Sequence, residues 1–300
     1  MKSRHSVSID EVVIVGGTHG NELLGPYLIR KLELTGRYTN TPLRVNTLLA
    51  NPKAFDRGVR FIDQDLNRSF SREVLSDNRV HDSKMNYEQQ LARKLHQRLS
   101  SEQALDRFII DLHSTTANMG VTLIVRNDQP LNLHAAAYVV QQFPETRILV
   151  SDLDRNKSQS LNSISEYGLA VEIGPLAHGV VNQEALEVTE KVIGLLVQFL
   201  TLCKTREKPR LPEVVSAFEI RQRVPFPRNN KGELTGMVHK KLQSRDYRLL
   251  ESGQPIFRTF SEQDIVYKGE ALYAVFINEA AYYRENVAFM LSDQIAIPIR

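Results

Sequence analysis

The amino-acid sequence predicts an α/β protein: a mixed sheet flanked by helices, followed by a second, smaller all-β domain. Three observations predict it. Short β-branched apolar runs alternate with longer stretches of helical spacing through the first two thirds of the chain. The first run, Glu11–Val15, is almost continuously apolar and is bounded by Gly16 and Gly17, the mark of a strand buried on both faces. Beyond about residue 205 the helical spacing stops, and the apolar runs become short and punctuated by Gly and Pro.

Taken in order, strands are predicted at Glu11–Val15, Leu43–Ala50, Phe108–Leu112, Val121–Val125, Arg147–Val150 and Leu169–Ile173. Helices are predicted between them at Asn21–Leu34, Tyr87–Leu99, Leu133–Gln142 and Gln183–Leu202. Charge and two prolines in Lys204–Pro212 mark a linker, which divides the chain into domains of residues 1–205 and 206–300. The second domain has β-type runs at Val214–Ile220, Leu234–Val238, Ile256–Phe260, Ala271–Ile277 and Ile295–Ile299. There is no internal repeat or low-complexity tract.

Composition excludes several function classes. A chain of 300 residues with 42% apolar content can bury a full core. Its formal charge of +3 comes from 38 basic and 35 acidic residues mixed along the sequence, so no basic block is available to follow a nucleic-acid backbone. The only early apolar run, Val12–Val15, is too short for a signal peptide or a membrane span. The single cysteine, Cys203, forbids an internal disulfide and fits a reducing, cytoplasmic setting; following the apolar run Val192–Leu202, it reads as a packed helix residue.

Four segments carry chemistry. His19-Gly20-Asn21-Glu22 follows the first buried strand, where open α/β sheets place their sites, and its imidazole and carboxylate suit zinc. A capping or packing histidine is the competing reading. Asp111-Leu112-His113 follows a second buried strand; with His19 and Glu22, His113 makes three protein ligands, and Asp111 lies on its side of the strand, where a carboxylate orients a ligating imidazole, against the alternative that Asp111 caps the next turn and His113 is a satisfied polar residue. Arg60 to Arg68 offers Arg60, Asn67 and Arg68 as donors for an anionic substrate, against the alternative of solvated loop charge. Glu172 is embedded in an apolar strand, where desolvation raises a carboxyl toward the range of a general base; a buried salt bridge is the alternative.

Together GGTHGNE, RFIDQDLNR, DLHSTTANMG, VEIGP and VFINEAAYY resemble the aspartoacylase family, relatives of the zinc carboxypeptidases and of succinylglutamate desuccinylase. The resemblance implies a zinc-carboxypeptidase-like catalytic domain, a C-terminal β domain that contributes to the active site, one Zn2+ per chain and a homo-oligomer, a dimer. It places the metal on His19, Glu22 and His113 and makes Glu172 the catalytic base. It also implies that Arg60 polarises the scissile carbonyl, that Asn67 and Arg68 grip the substrate carboxylate, and that Tyr282 is lent by the β domain, where plain packing is the alternative.

The implied reaction is hydrolysis of N-acetylaspartate to a carboxylate and L-aspartate. Two departures weigh against that side chain: Asn162 and Asn286 stand where the family's aspartate-selective members have cations, leaving Arg155, Lys157 or Arg284 to compensate. An aminoacylase for N-acetylated aromatic or neutral amino acids is the alternative, and a non-catalytic zinc or small-molecule binding protein is the alternative from another class. Ser114 stands where animal aspartoacylases have Asn.

Overall fold

The structure is a computed structural model and describes residues 9–76, 84–99, 106–126, 129–151 and 158–299. Its first part contains β1 (Glu11–Gly16), α1 (Leu24–Thr35), β2 (Arg44–Leu49), α2 (Pro52–Asp56), α3 (Arg72–Ser76), α4 (Tyr87–Leu99), β3 (Arg107–Ser114), β4 (Gly120–Arg126), α5 (Pro130–Gln142), β5 (Thr146–Ser151), β6 (Tyr167–Gly174) and α6 (Gln183–Lys204). The second contains β7 (Val214–Pro225), β8 (Gly236–Val238), β9 (Arg248–Leu250), β10 (Pro255–Thr259), β11 (Asp264–Val266), β12 (Leu272–Val275) and β13 (Val287–Pro298).

The strands form a ten-stranded sheet in the order β2-β1-β3-β6-β4-β5-β7-β13-β12-β9 and a three-stranded sheet in the order β11-β10-β8. β2, β1, β3 and β6 run parallel, β4 runs against β6, and β4 and β5 are parallel. Side-chain alternation sorts the two faces of the large sheet. Val12 and Ile14 of β1, Phe108, Ile110 and Leu112 of β3, and Leu169, Val171 and Ile173 of β6 pack into the main core with α1, α5 and α6. Complete burial of one such side chain stabilises the fold by roughly 1.5–3 kcal/mol. Val13, Val15 and Ile109 point the other way, onto Ala92 and Leu95 of α4. His113 and Glu172 lie on this second face, at the carboxyl ends of their strands.

Cys203 lies in α6, half-buried against the main core, and burial pushes its thiol up. The predicted strand at Ile295–Ile299 overlaps the end of a much longer one, Val287–Pro298, and β9 and β11 have no counterpart in the prediction. The all-β segment is also continuous with the first sheet: β7 runs parallel to β5, with Leu149 opposite Phe218 and Val150 opposite Glu219. Phe218 packs there against Leu149, Tyr247 and Met290.

Candidate active site

His19 reaches the site because the chain leaves β1 in a glycine-shaped turn. Gly17 has φ +70°, and a Cβ on Gly20 would fall 2.1 Å from the Ala54 carbonyl carbon, so only glycine lets this turn lie against α2. Glu22 closes the turn, its N–H donating to the His19 carbonyl at 3.2 Å. His113, near the end of β3, enters from the neighbouring strand.

One donor atom from each of His19, Glu22 and His113 lies within 4.8 Å of the others, and all three side chains are buried. Nδ1 of His19 is 2.7 Å from Glu22 Oε1 yet has no hydrogen bond of acceptable geometry. Nδ1 of His113 is 3.1 Å from Glu22 Oε2. The outer nitrogens are engaged elsewhere: His19 Nε2 lies 2.9 Å from Asp65 Oδ1, and His113 Nε2 lies 2.8 Å from Asp111 Oδ2. Thr18 Oγ1 donates to the other Asp111 oxygen at 2.7 Å. An imidazole whose outer N–H is given to a carboxylate turns its lone pair inward, the arrangement that suits a divalent transition metal. The unpaired buried nitrogen of His19 and the two-nitrogen, one-carboxylate donor set fit zinc.

Arg60 adds the positive charge. Its Nη1 donates to Glu22 Oε1 at 2.8 Å and its Nε to Asp65 Oδ2 at 3.1 Å. Burial would lower the guanidinium's pKa, but Glu22 and Asp65 outweigh it and raise it. Burial alone would raise Glu22, but His19 and His113 hold it well below the usual carboxylate range. Asp65 is likewise held low, against burial, by His19 and Arg60.

Glu172 differs. It sits opposite His113 in the β3–β6 register, with Thr122 on its other side. Among the described residues it has no ion-pair partner, so the salt-bridge alternative has no support there. Burial, reinforced by Glu22 and Glu279, pushes its carboxyl up to about 8, although His113 and Arg60 pull the other way.

His19, Glu22, Arg60, Asn67, Arg68, His113, Glu172 and Tyr282 all line one cavity of about 410 Å³. Asn67 spends its Oδ1 on the Leu161 N–H at 2.8 Å, while Arg68 Nη2 lies 3.3 Å from Glu285. Burial pushes the Tyr282 hydroxyl up. Ser114 lines the cavity too and donates its backbone N–H to Glu22 at 3.1 Å. Asn162 is a buried wall residue whose Oδ1 has no partner. Asn286 does not line this cavity; its Oδ1 accepts from Arg228 Nε. The Arg284 guanidinium lies over the Phe61 ring, in a neighbouring hollow. Arg155 and Lys157 fall outside the described residues.

Two carboxylates matter here that the sequence did not single out for these roles. Asp65 bridges His19 and Arg60, and it caps the 3₁₀ turn Leu66–Arg68 by accepting from the Asn67 N–H at 2.8 Å. Nothing separates it in sequence from Asp63, whose Oδ2 instead accepts from the Tyr87 N–H. Glu279 is buried and accepts from the N–H groups of Thr116 at 2.7 Å and Ala117 at 3.2 Å, and from the Thr115 hydroxyl. Its other oxygen accepts from the Ala281 N–H at 3.0 Å and caps the turn that carries Tyr282. A capping residue three positions before the tyrosine was the available signal.

The family model of the succinylglutamate desuccinylase/aspartoacylase catalytic domain matches residues 8–200, and that of the family's barrel-sandwich hybrid domain matches residues 213–294. A probable aspartoacylase of Acaryochloris marina is 37% identical over 294 residues, covering 97% of this chain and 98% of the relative. The N-acyl-aromatic-L-amino acid amidohydrolase (carboxylate-forming) of Homo sapiens is 36% identical over 301 residues, covering 96% and 92%. Among solved structures, murine aminoacylase 3 superposes with a TM-score of 0.90 at 35% identity, covering 98% of each chain. A succinylglutamate desuccinylase from Vibrio cholerae, 19% identical with a TM-score of 0.63 over 95% of this chain and 82% of its own, shares the fold. This chain therefore belongs to the succinylglutamate desuccinylase/aspartoacylase family of amide hydrolases.

Proposed function

We propose that the protein is a zinc-dependent hydrolase that splits N-acyl amino acids into a carboxylate and a free amino acid, with neutral and aromatic side chains preferred. The observation that carries the chemistry is the convergence of His19, Glu22 and His113 beside a buried, unpaired Glu172. Zinc, when bound by these three residues, supplies Lewis acidity toward water and a carbonyl oxygen. Glu172 takes a proton from the attacking water and later delivers it to the nitrogen of the leaving amine. Arg60 donates to the oxyanion that develops on the acyl oxygen, its orientation fixed by Glu22 and Asp65. Asn67 and Arg68 bind the amino acid carboxylate, and Tyr282 closes the cavity beside them.

The cavity wall supports the neutral preference. Ile124, Leu149, Ile220, Phe276 and Met290 give it a largely apolar surface, and Asn162 adds an uncharged amide. Arg126 also lines the cavity, but it gives N–H groups to the carbonyls of Asn162, Ser165 and Glu166. N-acetylaspartate is the second reading, favoured by Arg223 at the cavity edge, whose contact with Glu285 is long, 3.4 Å, and exposed. The test is hydrolysis of N-acetylphenylalanine, N-acetylmethionine, N-acetylaspartate and N-succinylglutamate, with and without a zinc chelator. Turnover led by the neutral substrates, abolished by chelation and restored by zinc, is the expected outcome. A lead for N-acetylaspartate would transfer the assignment to the second reading, and chelator-resistant turnover would remove zinc from the mechanism.

A further inference from the structure

We infer that Glu88 is a positioning residue for Arg60, holding the active-site loop from behind. The carboxylate lies in the first turn of α4, fully buried, and touches neither the cavity nor the donor set around His19. Its Oε1 accepts from the Ile62 N–H at 2.7 Å and from Asn51 Nδ2 at 3.1 Å. Its Oε2 accepts from the N–H groups of Asp63 at 3.0 Å and Gln64 at 3.3 Å. Among the described residues it forms no ion pair. A buried carboxylate without a cation is costly unless donors replace its water, and here three successive backbone N–H groups do so, forming a concave nest for the anion.

The position of that nest makes the contact functional. Arg60 lies two residues before it and Asp65 one residue after it, so every backbone group that Glu88 holds lies between the guanidinium and the carboxylate that orients it. The fourth donor, Asn51, caps α2, the helix against which Gly20 packs. The same segment is tied back by Gly20 N–H to the Arg60 carbonyl at 3.1 Å, and by the Asp63 carboxylate, which receives the Tyr87 N–H at 2.8 Å. Removing the anion would leave three inward-facing N–H groups short of acceptors and free the loop to rotate them outward, carrying Arg60 away from the acyl oxygen. A displacement of about 1 Å at a catalytic group costs on the order of 100-fold in rate.

The inference rests on the proposed role of Arg60, and a double-mutant cycle separates the two claims. Glu88→Gln keeps the shape but leaves only one oxygen to accept and turns an amide NH₂ toward N–H donors. It is expected to lower kcat roughly 10- to 100-fold per zinc-loaded site with KM changed by less than about 3-fold, whereas the same change in an Arg60→Ala background costs less than about 3-fold. Full additivity of the two substitutions, or an unchanged kcat per zinc in Glu88→Gln, would overturn the inference and leave Glu88 a stabiliser of the fold. Unchanged turnover in Arg60→Ala itself would instead overturn the role given to Arg60, and with it the inference. Should Glu88→Gln fail to fold, the cycle is run with Glu88→Asp, which keeps the charge and withdraws the acceptors by one methylene, and the same non-additivity is required.

Discussion

At the scale of single residues, the site depends on carboxylates placed in unlike surroundings. Glu22 and Asp65 pair with imidazoles and a guanidinium and stay ionised, while Glu172, without an ion-pair partner among the described residues, is pushed up to about 8 by burial. A base must be ionised to accept a proton, so kcat/KM should rise with pH along an acidic limb that ends at or below about pH 8, because a nearby divalent cation favours the charged form. Glu172→Gln should lower kcat by roughly 10²- to 10⁴-fold with zinc still bound, and should abolish the limb; rate–pH profiles together with metal analysis check both. A limb that survives in Glu172→Gln would belong to another group and remove Glu172 from the proton path.

At the scale of elements, the post-β3 loop and the β half meet through buried carboxylates. Glu279 receives the N–H groups of Thr116 and Ala117, and Asp246 receives those of Asn118 at 3.1 Å and Ile277 at 2.9 Å. Burial pushes Asp246 up to about 6 even though these N–H groups favour its charged form. Its folded value therefore exceeds its unfolded one near 4, so its contribution to stability is complete below about pH 4 and is lost as the pH rises through 6. Relative to Asp246→Asn, the metal-free protein should lose on the order of 2 kcal/mol between pH 4 and pH 7, read by denaturant unfolding.

Much of this layer was legible in the sequence. Runs such as Phe108–Leu112 and Leu169–Ile173 are strands because their apolar continuity suits a sheet covered on the core side by helices, and His113 and Glu172 follow from their places on those strands. β9 and β11 were not legible, since each is three residues long and largely exposed, with little apolar pattern to read. Nor were the carboxylates at 65, 88 and 279: Asp65 is told from Asp63 only by its contacts with distant His19, and Glu88 and Glu279 accept largely from backbone N–H groups that no residue type announces.

At the scale of the whole molecule, the β half extends the catalytic sheet through β5 and β7, and it supplies Phe276, Met290 and Tyr282 to the cavity. We propose that the segments 1–205 and 206–300 act as domains in sequence but unfold as one unit, with a single calorimetric transition. A chain ending at residue 205 would expose Met119 and Leu149, now buried against Phe218 and Phe276, and should be inactive and prone to aggregate; a soluble, active fragment would show that the β half is dispensable. The fixed charges around the two histidines carry one further consequence. Asp65, Glu22 and Asp111 surround the two histidines, with one guanidinium, Arg60, in contact with Glu22 and Asp65, so acidic side chains outnumber the cation around the donor set. A site lined in this way favours a cation over an anion, in an interior with little water to screen the difference.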